Sequence, residues 1–202
     1  MTSPADHTPP GAPGRPKAEA RRDALAARDA LSAADRARLS RLVCARVTGL
    51  PEVRAAEVVM SFATFRSEID TTPLAEWVLA RGKTLCLPRV LGPRRMAAFR
   101  VDDLESDLEP GAWDIPEPRP GLQEVPPEAI DVVLVPGAAF DLDGRRCGYG
   151  GGFYDSFLPR TRSAVPRIAL AFEVQLVERL DCEAHDLPVT AIVTESRVIA
   201  PA

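Results

Sequence analysis

A short apolar run, Ile130-Asp131-Val132-Val133-Leu134-Val135, constrains the fold of this 202-residue chain more than any other segment. Side chains alternate between the two faces of a strand, so four consecutive apolar residues place apolar groups on both faces. Such a strand needs cover on both sides, which is typical of a parallel sheet with helices packed on its faces. The run therefore predicts a central strand of an α/β fold.

Strands and helices alternate through the rest of the chain. Compact apolar runs predict strands at 57–62, 84–87, 96–101, 130–135, 167–172 and 191–195. Helical spacing and capping residues predict helices at 17–31, from Ser32 as N-cap to Gly49, at 71–79 and at 154–158. This order predicts a three-layer α/β/α fold with a mainly parallel central sheet and N-terminal helices.

Proline marks two irregular segments. Residues 1–16 hold five of the 20 prolines and no periodic apolar pattern, which predicts a disordered tail. Residues 110–127 hold six more, which predicts a loop without regular elements. The remaining residues, 17–202, have a length and a hydrophobic content (46% over the whole chain) that suit a single domain.

The composition excludes several kinds of site. Four scattered cysteines with no C-x-x-C argue against a zinc ribbon or a disulfide framework and favour a cytoplasmic protein. Only two histidines are present, so a multi-histidine metal site is excluded and a catalytic triad would have to use His185, which we interpret as structural. No apolar run reaches the roughly 20 residues of a membrane-spanning helix, which predicts no membrane partner.

Positive charge is concentrated near the N-terminus. Nine basic and four acidic residues lie between Arg15 and Arg46, although the whole chain has a net charge of −4. Such a segment attracts anions, but charge alone leaves nucleic acid, a membrane surface and a phosphorylated small molecule open.

The densest group of chemistry-bearing residues follows the central strand. The segment 145–155, Arg-Arg-Cys-Gly-Tyr-Gly-Gly-Gly-Phe-Tyr-Asp, places four glycines within five positions next to two arginines. Ligands of open α/β sheets bind beyond the carboxyl ends of the strands, and glycines let backbone N–H groups approach a phosphate. The segment fits neither G-x-x-x-x-G-K-[ST] nor G-x-G-x-x-G, so it predicts an unusual phosphate-binding loop.

Spacing alone leaves the roles of four side chains open. Arg146 is either a phosphate clamp or an exposed arginine, and Asp155 is either a Mg²⁺ ligand or a helix-capping residue. Glu68 either accepts hydrogen bonds from an amino-bearing ring or is a solvated residue before a helix. Trp113, in a proline-stiffened loop, is either a core residue or a lid that stacks on a flat ligand.

Five ordered motifs together resemble the 5-formyltetrahydrofolate cyclo-ligase family, also called methenyltetrahydrofolate synthetase. The resemblance runs from Lys17 to about Glu195. The motifs are Lys17-x-x-x-Arg21, Ser67-Glu68-Ile69-Asp70-Thr71, Leu87-Pro88-Arg89, Trp113-Asp114-Ile115-Pro116-Glu117-Pro118 and the 146–155 segment. Each motif is modest alone, but all five in this order are highly specific.

The resemblance implies a reaction and its co-substrate. In this family ATP and Mg²⁺ convert 5-formyltetrahydrofolate into 5,10-methenyltetrahydrofolate, ADP and phosphate. The formyl oxygen attacks the γ-phosphate, and N10 then attacks the phosphorylated intermediate. Small molecules are thus the expected partners, with no nucleic acid, and we expect a monomer.

The resemblance also implies roles for residues at matching positions. Arg146 and Tyr154 are implied to be catalytic, Glu68, Trp113 and Tyr149 to bind the folate, and Asp155 to hold Mg²⁺. The ATP-binding set is Lys17, Arg21, Arg146, Gly148, Gly150, Gly151, Gly152, Phe153 and Tyr154. The other seven cations of the basic segment, Arg28 among them, are interpreted as solvated helix faces and codon bias.

One position departs from the family pattern. Thr190 stands where the family often has a second metal-associated aspartate, which predicts weaker metal binding unless Asp186 or water substitutes. This departure supports one alternative, a catalytically weak member that binds folate or nucleotide. Two further alternatives are a nucleic-acid-binding protein and an unrelated sugar-phosphate or acyl-transfer enzyme, since a fold does not fix a function.

Overall fold

The computed structural model describes residues 14–181, 183 and 186–201. Its helices are α1 (Lys17–Asp29), α2 (Ala33–Gly49), α3 (Pro51–Ala55), α4 (Thr72–Leu79) and α5 (Phe153–Phe157). Its strands are β1 (Val58–Met60), β2 (Thr84–Gly92), β3 (Arg95–Val101), β4 (Leu108–Pro110), β5 (Pro116–Pro118), β6 (Glu124–Val125), β7 (Val132–Val135), β8 (Ala139–Asp141), β9 (Arg146–Cys147), β10 (Arg167–Leu170), β11 (Leu176–Val177), β12 (Ala191–Val193) and β13 (Val198–Ile199).

Eight strands form the central sheet, in the order β13-β12-β10-β7-β1-β2-β3-β6. The five strands from β12 to β2 are parallel to one another, while β3, β6 and β13 add antiparallel edges. A smaller sheet, β11-β8-β9, lies beside it. The predicted α/β class, mainly parallel sheet and N-terminal helices are confirmed.

The central strand β7 is buried along its whole length, as its apolar run predicts. Val132 and Leu134 belong to the core that includes α2 and α4, whereas Val133 and Val135 pack with Phe157 of α5 on the opposite face. Burying each such side chain stabilises the fold by roughly 1.5–3 kcal/mol. The middle layer of the fold is therefore held from both sides.

The N-terminal helices begin and end close to the predicted positions. The Ser32 side chain accepts a hydrogen bond from the Asp35 backbone N–H at 3.0 Å, which confirms Ser32 as the N-cap of α2. Within the predicted 1–16 tail, residues 1–13 lie outside the described part of the chain. Arg15 forms a parallel bridge with Leu180, and this pairing fixes the chain immediately before α1.

The proline-rich segment is more regular than predicted. A loop was expected over 110–127, but β5 and β6 lie within it, and β5 pairs with β4. Strand β6 pairs with the outer side of β3 and so forms the sheet edge. The strand prolines of the segment lie in β4 and β5, which pair only with each other, so each strand has an open edge where the N–H that proline lacks is not needed for a ladder hydrogen bond. The expectation of an irregular loop was wrong for that reason.

The fold places its functional loops at one end of the sheet. The segments after β1 and β7 leave the carboxyl ends of neighbouring parallel strands, and α1 packs against β8 and β9 beside them. No helix in the described ranges has both the length and the apolarity that crossing a membrane requires.

Replacing Ser32 with alanine removes the side-chain acceptor at the start of α2. We expect the free energy of unfolding of Ser32→Ala to fall by about 1 kcal/mol, the usual cost of losing an N-cap. Urea denaturation measures this value. Ser163→Ala is the matched control, because the Ser163 hydroxyl is exposed and bonds to no residue of the described chain. Equal midpoints for the two variants would contradict the capping role.

Candidate active site

A cavity of roughly 580 Å³ opens at the carboxyl end of the parallel strands. Its walls come from α1, the segments after β1 and β7, the glycine-rich loop between β9 and α5, the β2–β3 hairpin and the proline-rich segment. Every residue to which the sequence assigned a binding or catalytic role lines this cavity: Lys17, Arg21, Glu68, Trp113, Arg146, Gly148, Tyr149, Gly150, Gly151, Gly152, Phe153, Tyr154 and Asp155. The sequence motifs, which are up to 138 positions apart, are therefore brought into one space.

A buried carboxylate forms one wall of the cavity. Glu68 is 8% exposed and accepts hydrogen bonds from the Tyr149 hydroxyl at 2.6 Å and from the Phe65 backbone N–H at 3.0 Å. Burial raises the pKa of Glu68 above its ordinary value, although both hydrogen bonds favour the ionised form. Glu68 is thus a buried acceptor held in place on the cavity wall, and its interpretation as a solvated residue before a helix was wrong.

The phenol of Tyr149 is fixed by an arginine from α1. Arg28 donates from Nη1 to the Tyr149 hydroxyl at 2.6 Å and from Nε to Ser67 Oγ at 2.9 Å. Its side chain is only 1% exposed, so the expectation that it lies on a solvated helix face was wrong. In the sequence Arg28 looks like the other arginines of α1, and only the tertiary packing shows that it is buried.

Two cations on α1 face the glycine-rich loop. Lys17 pairs with Asp186 at 2.5 Å and with Glu183 at 3.7 Å, and Arg21 donates from Nε to the Gly148 carbonyl at 2.7 Å. Burial disfavours the Lys17 charge, but the Asp186 hydrogen bond and the nearby carboxylates outweigh it and raise the Lys17 pKa. The ammonium therefore stays charged in the cavity.

Arg146 is buried next to the glycine-rich loop, and not all of its N–H donors have a partner in the described part of the chain. Its side chain is 7% exposed and pairs with Asp155 at 2.5 Å. Its Nε and the Tyr154 hydroxyl are buried without a hydrogen-bond partner in the described part of the chain. Buried polar groups are nearly always satisfied, so these two mark a place where a ligand atom belongs. The alternative of Arg146 as an exposed surface arginine was wrong.

The loop itself needs glycine at two positions. Gly150 and Gly152 have φ values of 95° and 67°, which residues with a Cβ rarely adopt. The backbone of this loop lines the cavity together with Arg21 and Arg146.

Trp113 stands at the cavity mouth. It is 64% exposed, which excludes the core alternative, and its ring meets Phe153 edge to face at 6.0 Å. The buried carboxylate of Glu117 accepts hydrogen bonds from the Ala112 and Val90 backbone N–H groups, both at 3.2 Å. Glu117 thereby holds the tryptophan segment against β2.

The cavity offers few carboxylates, which suits a cation that takes most of its ligands from water and substrate phosphates. Among the described residues no group of three or more His, Cys, Asp or Glu side chains forms a metal site. Asp155 and Asp186 both line the cavity. Mg²⁺ commonly takes one or two protein carboxylates and completes its shell with water and substrate phosphates. Asp155 thus fits as a ligand of a nucleotide-borne Mg²⁺.

Thr190 does not take part in this cavity. Its hydroxyl accepts a hydrogen bond from the Arg167 backbone N–H at 2.9 Å and donates to the Arg167 carbonyl at 3.1 Å, at the start of β10. Asp186, the alternative second carboxylate, does line the cavity. His185 lies outside the described residues.

A family model with the description 5-formyltetrahydrofolate cyclo-ligase family matches residues 14–195. The chain belongs to this family. That membership makes it a ligase, and the match covers every motif from α1 to β12.

Several relatives of the chain carry the name of this family. The 5-formyltetrahydrofolate cyclo-ligase of Escherichia coli K12 is 35% identical over 169 residues, covering 79% of this chain and 90% of that protein. The mouse protein of that name is 29% identical over 173 residues, covering 80% and 84%. The solved structure of Aquifex aeolicus 5,10-methenyltetrahydrofolate synthetase has a TM-score of 0.81 at 38% identity and covers 91% of this chain and 92% of its own.

Three further residues at or beside the cavity received no role from the sequence. Arg28 and Glu117 fix Tyr149 and Trp113, and Arg94 lines the cavity from the β2–β3 hairpin. Glu117 lies within a cyclo-ligase motif, which was a usable signal. Arg28 and Arg94 lie among many other arginines, and the sequence holds no signal that separates them.

Replacing Glu68 with glutamine should change how stability depends on pH. The folded-state pKa of Glu68 is raised, so its stabilising contribution is complete at low pH and is lost as pH rises through that pKa. Glu68→Gln lacks this loss, so its free energy of unfolding should gain on the native value over the pH range above 4.5, the ordinary pKa of glutamate. Urea denaturation across that range measures the difference, with the exposed Glu128→Gln as control. A difference that stays constant with pH would contradict the assignment.

Proposed function

We propose that the protein converts 5-formyltetrahydrofolate into 5,10-methenyltetrahydrofolate, with ATP converted to ADP and phosphate. The proposal rests on one observation: two chemically different walls line the same cavity. One wall offers the Glu68 carboxylate and aromatic rings, and the other offers Lys17, Arg21 and Arg146 around a glycine loop. A flat amino-bearing ring suits the first wall, and a polyphosphate suits the second.

The folate would bind along the Glu68 wall. The carboxylate accepts hydrogen bonds from N–H groups of the pterin ring, and its geometry is fixed because Tyr149 and the Phe65 backbone already occupy one position on each oxygen. The ring of Tyr149 stands edge to face with Phe65 at 5.9 Å and gives this wall an aromatic surface. Trp113 at the mouth covers the bound substrate and excludes water.

The nucleotide would bind along the glycine loop. Lys17 exchanges its Asp186 partner for phosphate oxygens, while Arg21 already donates to the loop carbonyl of Gly148 and holds the loop in place. Mg²⁺, held by Asp155 with water and phosphate oxygens, would supply charge neutralisation for the phosphates. ATP is the co-substrate in this proposal.

The reaction places its demand on charge rather than on a protein nucleophile. The formyl oxygen bonds to the γ-phosphorus as the bond to ADP breaks, and N10 then bonds to the formyl carbon as phosphate leaves and N10 loses its proton. Arg146 would stabilise the charge that develops on the transferring group, because its buried Nε has no partner in the described part of the chain and can donate a hydrogen bond to it. The Tyr154 hydroxyl is the second such donor, because burial raises its pKa and keeps it protonated.

Absorbance in the near ultraviolet tests the reaction, since the methenyl product absorbs there and the formyl substrate does not. We expect the band to require both ATP and Mg²⁺. Arg146→Ala should reduce kcat by about 10²- to 10³-fold, because a buried transition-state donor is lost. Arg41→Ala, which removes an exposed arginine of α2, is the matched control.

A folded native protein that binds folate or nucleotide without forming the band would favour the catalytically weak alternative. Near-native turnover by Arg146→Ala would remove Arg146 from the site.

Replacing Asp155 with asparagine should raise the Mg²⁺ concentration that gives half-maximal activity. Asparagine keeps the size of the side chain and removes the charge that a hard cation prefers. A Mg²⁺ titration at saturating ATP measures the shift. Asp143→Asn is the control, because Asp143 belongs to the same glycine-rich region but pairs with Arg145 and does not line the cavity. An unchanged titration midpoint in Asp155→Asn would exclude Asp155 as a metal ligand.

A further inference from the structure

Three glycines of the loop each face a different arginine. A Cβ on Gly148 would lie 2.8 Å from Arg146 Nη1, and one on Gly150 would lie 4.0 Å from Arg21 Nη2. A Cβ on Gly152 would lie 2.8 Å from Nε of Arg94, which no sequence motif includes. We propose that Arg94 is a third phosphate-binding arginine, which reaches the nucleotide from the β2–β3 hairpin. This inference rests on the proposed function.

The guanidinium of Arg94 has free hydrogen-bonding capacity. Arg146 pairs with Asp155, and Arg21 donates to a loop carbonyl. Across 14–181, 183 and 186–201, by contrast, Arg94 has no hydrogen-bond or ion-pair partner, although it lines the cavity. Arginine presents five N–H donors in a planar fork that matches phosphate oxygens. Arg94 is therefore equipped to bind an anion without first breaking an internal contact.

The backbone at Arg94 supports a role beyond closing the hairpin. Arg94 has a φ of 55°, a left-handed conformation that is unfavourable for a residue with a Cβ. Glycine would adopt the same turn at lower cost. Strained residues of this kind concentrate at ligand sites, where the strain positions a side chain. Here Arg94 remains exposed, and the left-handed turn places its guanidinium over Gly152.

Two anions could reach this guanidinium, namely the phosphates of ATP and the carboxylates of the glutamate tail of the folate. The contact with Gly152 favours the phosphates, because Gly152 belongs to the loop that Arg21 and Arg146 also face. A third cation at the far end of the loop would surround the phosphate chain from three sides. Arg94 would then lower the Kd of ATP and leave the binding of AMP nearly unchanged.

Arg94→Gly separates binding from folding, because it removes the guanidinium and relieves the backbone strain together. Isothermal titration calorimetry with Mg²⁺-ATP and with AMP, without folate, measures binding, and a thermal melt measures stability. We expect the Kd of ATP to rise on the order of 10- to 100-fold, the usual effect of losing a charged hydrogen bond. The Kd of AMP and the Tm should stay equal to or better than native values.

Arg95→Ala is the matched control, because Arg95 is the adjacent exposed arginine and does not line the cavity. An unchanged ATP Kd and KM in folded Arg94→Gly would overturn the proposal. A rise confined to the KM of the folate, larger for substrates with more glutamates, would also overturn it and assign Arg94 to the tail.

The same experiments separate this inference from the proposed function. If the native protein binds Mg²⁺-ATP but forms no methenyl band, the proposed reaction fails, and the ATP Kd of Arg94→Gly still decides the role of Arg94. If the native protein does not bind ATP at all, both proposals fail.

Discussion

The buried guanidinium of Arg28 links the parts of this site. A charge that is 1% exposed is costly unless it is hydrogen-bonded, and its bonds to Tyr149 and Ser67 provide that compensation. The bonds fix α1 against both the glycine-rich segment and the loop after β1. Lys17 and Arg21 lie on the same face of α1 as Arg28, since offsets of four and eleven residues correspond to nearly whole turns. Placing one arginine therefore also places the two cations that face the loop.

The polar groups of the cavity lie beside an apolar core, which strengthens their hydrogen bonds. Arg146 and Tyr154 each keep one buried donor without a partner in the described chain, at the boundary of the core that contains Val133 and Phe157. In such surroundings a hydrogen bond to a charged ligand is stronger than in water, and the donors need no reorganisation when charge develops. The β7 strand thus serves the chemistry indirectly, because its buried side chains belong to the core against which Tyr154 packs.

The sequence was most informative where local pattern and function coincide. The apolar run at β7, the Ser32 cap and the glycine loop each carry a local signature, and each lies where that signature predicts. The proline-rich segment misled because proline excludes central strands but not edges, and its strand prolines lie in the two-stranded sheet of β4 and β5, where both strands are edges. Arg28 and Arg94 were missed for a different reason. The burial of Arg28 depends on tertiary packing, and arginine rarely adopts the left-handed backbone found at Arg94. Neither property can be recognised from an arginine in an arginine-rich sequence.

The ion pair between Lys17 and Asp186 has a consequence for the order in which the protein becomes competent during synthesis. The two residues are 169 positions apart, and the Arg15–Leu180 bridge joins the same two regions. Helix α1 therefore leaves the ribosome long before the segment with Leu180 and Asp186, which holds the start of α1, has been synthesised. The half of the cavity that we propose for the nucleotide is completed only when the last tenth of the chain arrives, so a partly translated chain lacks this half of the site.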